Sequence, residues 1–309
     1  MSNPIKIRMG GYGPPSTGFS KSLKLIGDKL EAQFGKKDVA IEYVFNIMDH
    51  GYKAENILTL VEDGSMTLGY QSSSYLTDRV PELGFVDLPF LFSSNAQARG
   101  AMDGALGEFL ARKTEERVNY RILGWFENGF RHISNRLRPV HVPTDMKGMN
   151  IRVLPSEIHK RTFELLGAIA MRMDLAEAIA MIKAGTLDAQ ENPLANTVTY
   201  GVHKFHKFHT LSYHFYISRP IFLHRTSFEV WPNELKRAMQ AAVTEAVAYQ
   251  RSLAVEEHDE SYKAIEAEGC KINALTPKEH EAFVAAVQPL LADAQKTYGD
   301  AMFKMVPKA

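Results

Sequence analysis

Two arginines stand among residues that alternate like strands: Arg131 in Gly129-Phe-Arg-His-Ile-Ser-Asn135, and Arg152 in Met149-Asn-Ile-Arg-Val153. A guanidinium is costly to bury unless an anion meets it, and its planar fork fits a carboxylate at two points. The chemistry such residues offer is anion capture. Either a ligand brings the anion or the protein supplies it, with Glu177 and Glu191 as the protein carboxylates at hand.

A second pattern, His203-Lys-Phe-His-Lys-Phe-His209 with His214 nearby, places three imidazoles at a spacing of three, which one helical face could turn toward zinc. Lysines alternate with the histidines and no acidic residue interrupts the run. A solvated connection between strands is the expected outcome, and no metal or other cofactor is expected. Cys270 is the single cysteine, so an intrachain disulfide and a thiolate metal site are both excluded. The chain has no Gly-x-Ser-x-Gly elbow, Walker loop, His-Glu-x-x-His or helix-opening Gly-x-Gly-x-x-Gly, and no catalytic residue is assigned.

The elements that must position these residues alternate strand and helix. Ile5–Met9 reads as a strand that turns through Gly10, Gly11, Gly13, Pro14 and Pro15. Phe19, Leu23, Ile26, Leu30 and Phe34 then repeat at helical spacing, with Ser16 or Thr17 as cap and Gly35 as stop. Strands follow at 39–45 and 66–71, around a short helix at 54–62. The proline-rich stretch 80–92 reads as a wrapping segment and 95–116 as one helix. In the second half, strands are expected at 120–127, 132–135, 149–153 and 186–190. One helix opens at Ser156. Another opens at an Asp174/Glu177 capping box and stops at Gly185.

From Pro232 to about Glu268 no glycine or proline follows the first residue, which predicts one helix roughly 55 Å long. Thr276-Pro-Lys-Glu279 announces a final helix to about Tyr298. At 309 residues the chain has material for two cores. Its 36 Lys+Arg balance 36 Asp+Glu, which argues against a nucleic-acid or membrane-surface partner. No apolar run reaches about 18 residues, the length a spanning helix needs.

Taken together, Arg131-His132, Asp145-Met-Lys-Gly148, Ile151-Arg-Val153, Leu166-Gly-Ala168, Glu177 and Asp188-Ala-Gln-Glu-Asn-Pro193, with Pro81-Glu-Leu and Asp87-Leu-Pro-Phe-Leu-Phe92 before them, carry a resemblance. In order and spacing they resemble the solute-binding subunits of tripartite ATP-independent periplasmic (TRAP) transporters, the DctP family. The resemblance extends over nearly the whole chain. It departs at Ala189, where the family commonly has glycine, and at Leu175, where an aromatic is usual, so close analogy with sialic-acid binders is in doubt.

The resemblance implies an α/β, two-lobed periplasmic-binding-protein-like fold with a ligand cleft between the lobes and the long helix spanning both. Lobe I would be 1–127 plus 216–250 and lobe II 128–215 plus 251–309, with hinge strands near 127 and 215. It assigns the ligand salt bridge to Arg152, a ligand contact to Asn192 and a second cationic contact to Arg131. Tyr12, Ser72, Ser73 and Tyr75, at strand ends of the first lobe, should face the cleft, although turn chemistry alone accounts for Ser72 and Tyr75 equally well. Phe215, with Tyr213 and Tyr216, could wall a ligand or fill the core.

The implied partners are a small carboxylate and the membrane subunits of a TRAP transporter, with the protein acting as a monomer in the periplasm. No leader is visible ahead of the first strand, either because it has been removed or because none exists, so that location rests on the resemblance. A ligand-binding sensor module, periplasmic or cytoplasmic, is the alternative.

Overall fold

The computed structural model describes residues 4–308. The chain opens with strand β1 (Ile5–Gly10), helix α1 (Gly18–Phe34), β2 (Val39–Val44), α2 (Asn56–Glu62) and β3 (Leu68–Tyr70). Two 3-10 turns, Ser73–Leu76 and Pro81–Asp87, lead to α3 (Asn95–Asp103), α4 (Ala105–Glu115) and the long strand β4 (Tyr120–Asn135). Next come β5 (Asn150–Val153), α5 (Glu157–Leu165), β6 (Ile169–Arg172), α6 (Leu175–Lys183), β7 (Ala189–Asn192) and α7 (Leu194–Thr199). The chain ends with β8 (Phe208–His224), α8 (Arg225–Val230), α9 (Asn233–Ala267), β9 (Lys271–Ala274), α10 (Pro277–Ala286) and α11 (Gln288–Phe303).

Two compact units result. The first comprises Met1–Ser72, Gly107–Glu127 and Ser218–Val255, the second Ser73–Leu106, Asn128–Ile217 and Glu256–Ala309. In the first unit β1 runs parallel between β2 and β3, and β3 pairs antiparallel with β8. In the second, β5 runs parallel between β6 and β7, β7 pairs antiparallel with β4, and β9 runs parallel to β8. Each unit thus carries parallel strands joined by helices, the arrangement that strand-helix alternation dictates.

Segment 73–106 belongs to the second unit, where the sequence reading had placed it in the first lobe. Its contacts explain the move. Ser74 donates to Asp87 at 2.6 Å, the Phe90 N–H donates to the His214 carbonyl at 2.8 Å, and Phe85 packs edge-on against Tyr298 and Phe303.

Several element boundaries follow local signals closely. Thr17 caps α1 by accepting from Ser20 N–H, and Thr276 and Glu279 form the reciprocal capping box of α10. Helix α9 keeps all 35 residues, free of glycine and proline. At the end of the first unit's share of β4, the Gln250 amide clasps the Glu127 backbone both ways, each bond 2.8 Å.

Elsewhere the expectations need correction. The helix expected over 95–116 breaks at Gly104, whose backbone turns to ψ −152° and where a Cβ would lie 2.8 Å from the Gly100 carbonyl. The strands expected at 120–127 and 132–135 are one strand, carried through Gly129 at φ 83°. The final helix divides at Val287, ahead of Pro289, and kinks again at Gly299. β6 was not foreseen, β7 starts later than 186, and α6 is capped by Asp174 accepting from Ala176 N–H.

The histidine run is the largest departure. A short 3-10 turn, Val202–Lys204, gives way to β8, and His203, His206 and His209 are buried while Lys204 and Lys207 face solvent. His206 Nδ1 lies 2.9 Å from Ser134 Oγ and His209 Nε2 3.0 Å from the His206 carbonyl. Among the described residues no group of three such side chains is placed to hold a metal ion.

Burial pushes the His206 imidazole down to about 3 and His209 to about 4, from 6.5. Between those values and 6.5 the unfolded chain binds protons that the folded chain refuses, so stability falls as pH falls through that window, by about 1.4 kcal/mol per pH unit per histidine. Asp87, which burial raises to about 7, acts in the opposite sense and offsets one such group. With His159 depressed in the same way, urea unfolding at pH 7.5, 6.0 and 5.0 should show progressively lower stability, and replacing His206 and His209 by Gln should make that decline shallower.

Candidate functional site

The second unit's sheet sorts the predicted residues. Arg152 on β5 stands opposite Gln190 on β7, and Asn192 on β7 stands opposite His132 on β4. Because side chains alternate along a strand, Arg152, Gln190, Asn192 and His132 share one face. Glu191 belongs to the other, and so does Arg131, beside Ile133 across from it.

The two arginines meet different partners. Arg131 is 1 % exposed and its fork closes on Glu191, with Nε on Oε2, Nη2 on Oε1 at 2.9 Å and Nη2 on the Glu191 carbonyl at 2.6 Å. His214 stands 3.5 Å from the same carboxylate. Burial alone would raise Glu191, but the Arg131 charge and the hydrogen bonds from His214 and Arg131 overcome it and hold the carboxylate well below its ordinary value. This pair is internally neutralised.

Arg152 is buried to the same 1 %. Its Nε donates to the Met173 carbonyl at 3.1 Å and its Nη2 to the Tyr75 hydroxyl at 3.2 Å. Both partners are neutral, and among the described residues no carboxylate pairs with it. Nε is occupied by a backbone carbonyl, so an incoming carboxylate meets the Nη1/Nη2 end of the fork. Asn192, 4 % exposed, donates from Nδ2 to Gln190 Oε1 at 3.4 Å, and Gln190 in turn donates to Thr197 at 3.3 Å. That chain fixes an amide beside the arginine, one able to donate to a carboxylate or accept from a hydroxyl.

The other predicted residues fall as follows. Ser73 is fully buried at the start of the 3-10 turn that carries Tyr75. Phe215 lies in the second unit's hydrophobic core, stacked on His159 with ring centroids 4.0 Å apart, and that packing takes up its ring. Tyr12 and Ser72 belong to the first unit. Tyr12 follows β1 and bridges to Asn46, its ring 5.4 Å from Tyr70 and under the Arg219 guanidinium. Ser72 follows β3 and its N–H donates to Gln71 Oε1 at 2.8 Å.

The sequence reading missed Gln190, which orients Asn192, and the Met173 carbonyl, which anchors Arg152. Gln190 sat inside the motif already noted; a backbone carbonyl leaves no sequence signal. Removing one member of a buried ion pair strands the other. Arg131→Met is therefore expected to cost about 3–5 kcal/mol of stability, whereas Arg152→Met, which leaves no carboxylate behind, should leave the ligand-free protein as stable or more so. Urea unfolding of both variants measures the contrast, and equal losses would refute it.

Comparison with known proteins agrees with this architecture. The family described as DctP, bacterial extracellular solute-binding protein, family 7, matches residues 45–297. A solute-binding protein of Verminephrobacter eiseniae is 29% identical over 249 residues, 81% of this chain and 73% of that protein. The 2,3-diketo-L-gulonate-binding periplasmic protein YiaO of Escherichia coli is 27% identical over 234 residues, 76% of this chain and 70% of its own. The crystal structure of a TRAP periplasmic solute binding protein from Polaromonas sp JS666, bound to D-erythronate, superposes with a TM-score of 0.91 at 24% identity, covering 99% of both chains. No helix among the described residues is long and apolar enough to cross a membrane. With two α/β units and a family match over most of its length, the chain belongs to the DctP family of bacterial extracellular solute-binding proteins, the TRAP-transporter type.

Proposed function

We propose that this protein captures a small organic acid through a salt bridge between the ligand carboxylate and Arg152, and delivers it to the membrane subunits of a TRAP transporter. The observation that carries the reading is a guanidinium 1 % exposed whose hydrogen bonds go only to neutral groups. A charge in that position is costly until an anion arrives, and a carboxylate held at two points is the anion its fork suits best. Asn192 is the neutral neighbour that reads the adjoining hydroxyl or oxo oxygen, and Ser73 and Tyr75 border the same place.

Arg131 has its anion in Glu191, so its role in this reading is to hold β4 and β7 together at the site. Tyr12 and Ser72 are the candidate contacts from the first unit. The ligand class in this reading is supported by similar proteins: YiaO is described as binding 2,3-diketo-L-gulonate, and the Polaromonas protein was crystallised with D-erythronate, both acids with oxygens along the chain. Action as a monomer in the periplasm completes the proposal.

A thermal-shift screen of sugar acids and C4 acids should identify the ligand, because a molecule that binds only the folded state raises the melting temperature by mass action. Calorimetry with the best hit should then give no measurable binding to Arg152→Ala and about a two- to tenfold loss for Asn192→Ala, on the scale of a lost hydrogen bond between neutral groups. Wild-type affinity in Arg152→Ala would refute the salt bridge.

A further inference from the structure

We infer that the buried Asp87 is a positioning residue for the carboxylate site: through Ser74 it sets Tyr75 against Arg152, so the charge on Asp87 is linked to ligand affinity. This rests on the reading of Arg152 given above. The connection is short and made of named bonds. Ser74 Oγ donates to Asp87 Oδ1 at 2.6 Å, Ser74 and Tyr75 are consecutive in the 3-10 turn Ser73–Leu76, and the Tyr75 hydroxyl accepts from Arg152 Nη2 at 3.2 Å. Thr77 Oγ1 closes the turn by donating to the Ser74 carbonyl at 3.1 Å. The turn carries the hydroxyl that accepts from the guanidinium, so Tyr75 stays against the arginine only while its turn is held in place.

Asp87 is fully buried at the end of the turn Pro81–Asp87. The titratable groups around it come from four elements: His159 of α5, with Nε2 at 3.5 Å, Arg131 of β4, Glu191 of β7 and Tyr298 of α11. Burial drives Asp87 up to about 7, against the hydrogen bonds of Ser156 and Ser74 and the Arg131 charge, and with the Glu191 charge. Burial also pushes His159 down to about 3 and the Tyr298 phenol well above its ordinary value, so neither changes charge between pH 6 and 8, while Glu191 stays ionised throughout.

The direction follows from the bond. Ionised Asp87 accepts from Ser74 in a charge-assisted hydrogen bond, and protonation removes that assistance and loosens the turn. Ligand affinity should therefore fall as pH falls from 8 to 6, a range in which neither a ligand carboxylate nor arginine titrates.

The test is calorimetry at pH 8, 7 and 6 with the tightest binder among D-erythronate, galactonate, D-glucuronate and succinate, the acids held by solved relatives. The wild type should lose about fivefold in affinity across the range, the scale of a modest coupling between sites. Asp87→Asn and Ser74→Ala should bind with a flat profile, and Ser74→Ala carries the test alone if the Asp87 variant does not fold. A flat wild-type profile, an opposite slope, or a slope that persists in the variants overturns the inference. Binding by Arg152→Ala at any pH, or no binding of any probe to the wild type, overturns the underlying reading instead.

Discussion

Taking a guanidinium out of water costs several kcal/mol unless an anion restores what hydration supplied, and the second unit contains two such groups with opposite solutions. Arg131 has Glu191 against it, while Arg152 has a backbone carbonyl and a phenol. The first arrangement is complete and stiffens the junction of β4 and β7. The second leaves a buried charge with neutral partners only, on the sheet face that also carries the Gln190–Asn192 amide chain, and the proposed carboxylate capture is built on that contrast.

Stability and binding therefore draw on the same buried polar core in different ways. Glu191, His214, His159 and Asp87 lie where solvent does not reach, and each must find its partner within the protein or change its protonation. Glu191 keeps its charge because Arg131 is adjacent, the histidines stay neutral, and Asp87 sits close to the balance point. A core of this kind is sensitive to pH near neutrality. One member of the Arg131–Glu191 pair cannot be removed without stranding a charge, but Arg152 can be replaced without that penalty.

The histidine run illustrates how a motif misleads. Read along the chain, alternating His and Lys suggested either a metal face or a solvated linker. In the fold the alternation separates inside from outside: the imidazoles are taken into the core and the lysines stay in water. The burial is tolerated because His206 meets Ser134 and His209 meets a carbonyl, partners that lie on the strand and turn packed beside them.

The sequence by itself determined the features that local physics controls. Glycine and proline punctuation placed the βα units, the Thr17 and Thr276 caps started α1 and α10, and the absence of breakers let α9 run unbroken. The motif order from Arg131 to Pro193 was enough to point to the family and to single out Arg152 and Asn192. Only the tertiary structure decided which arginine already has its anion. Arg131 and Glu191 are 60 residues apart, and what joins them is the antiparallel register of β4 with β7, a fact of strand pairing that leaves no mark on either residue's neighbours in the chain. Register also put Asn192 on the face of Arg152, while packing against the second unit's strands and last helix assigned 73–106 to that unit. Partners distant in sequence are chosen by packing the whole unit at once, so the sequence could offer Glu177 and Glu191 as carboxylates at hand but not say which arginine, if either, would meet which.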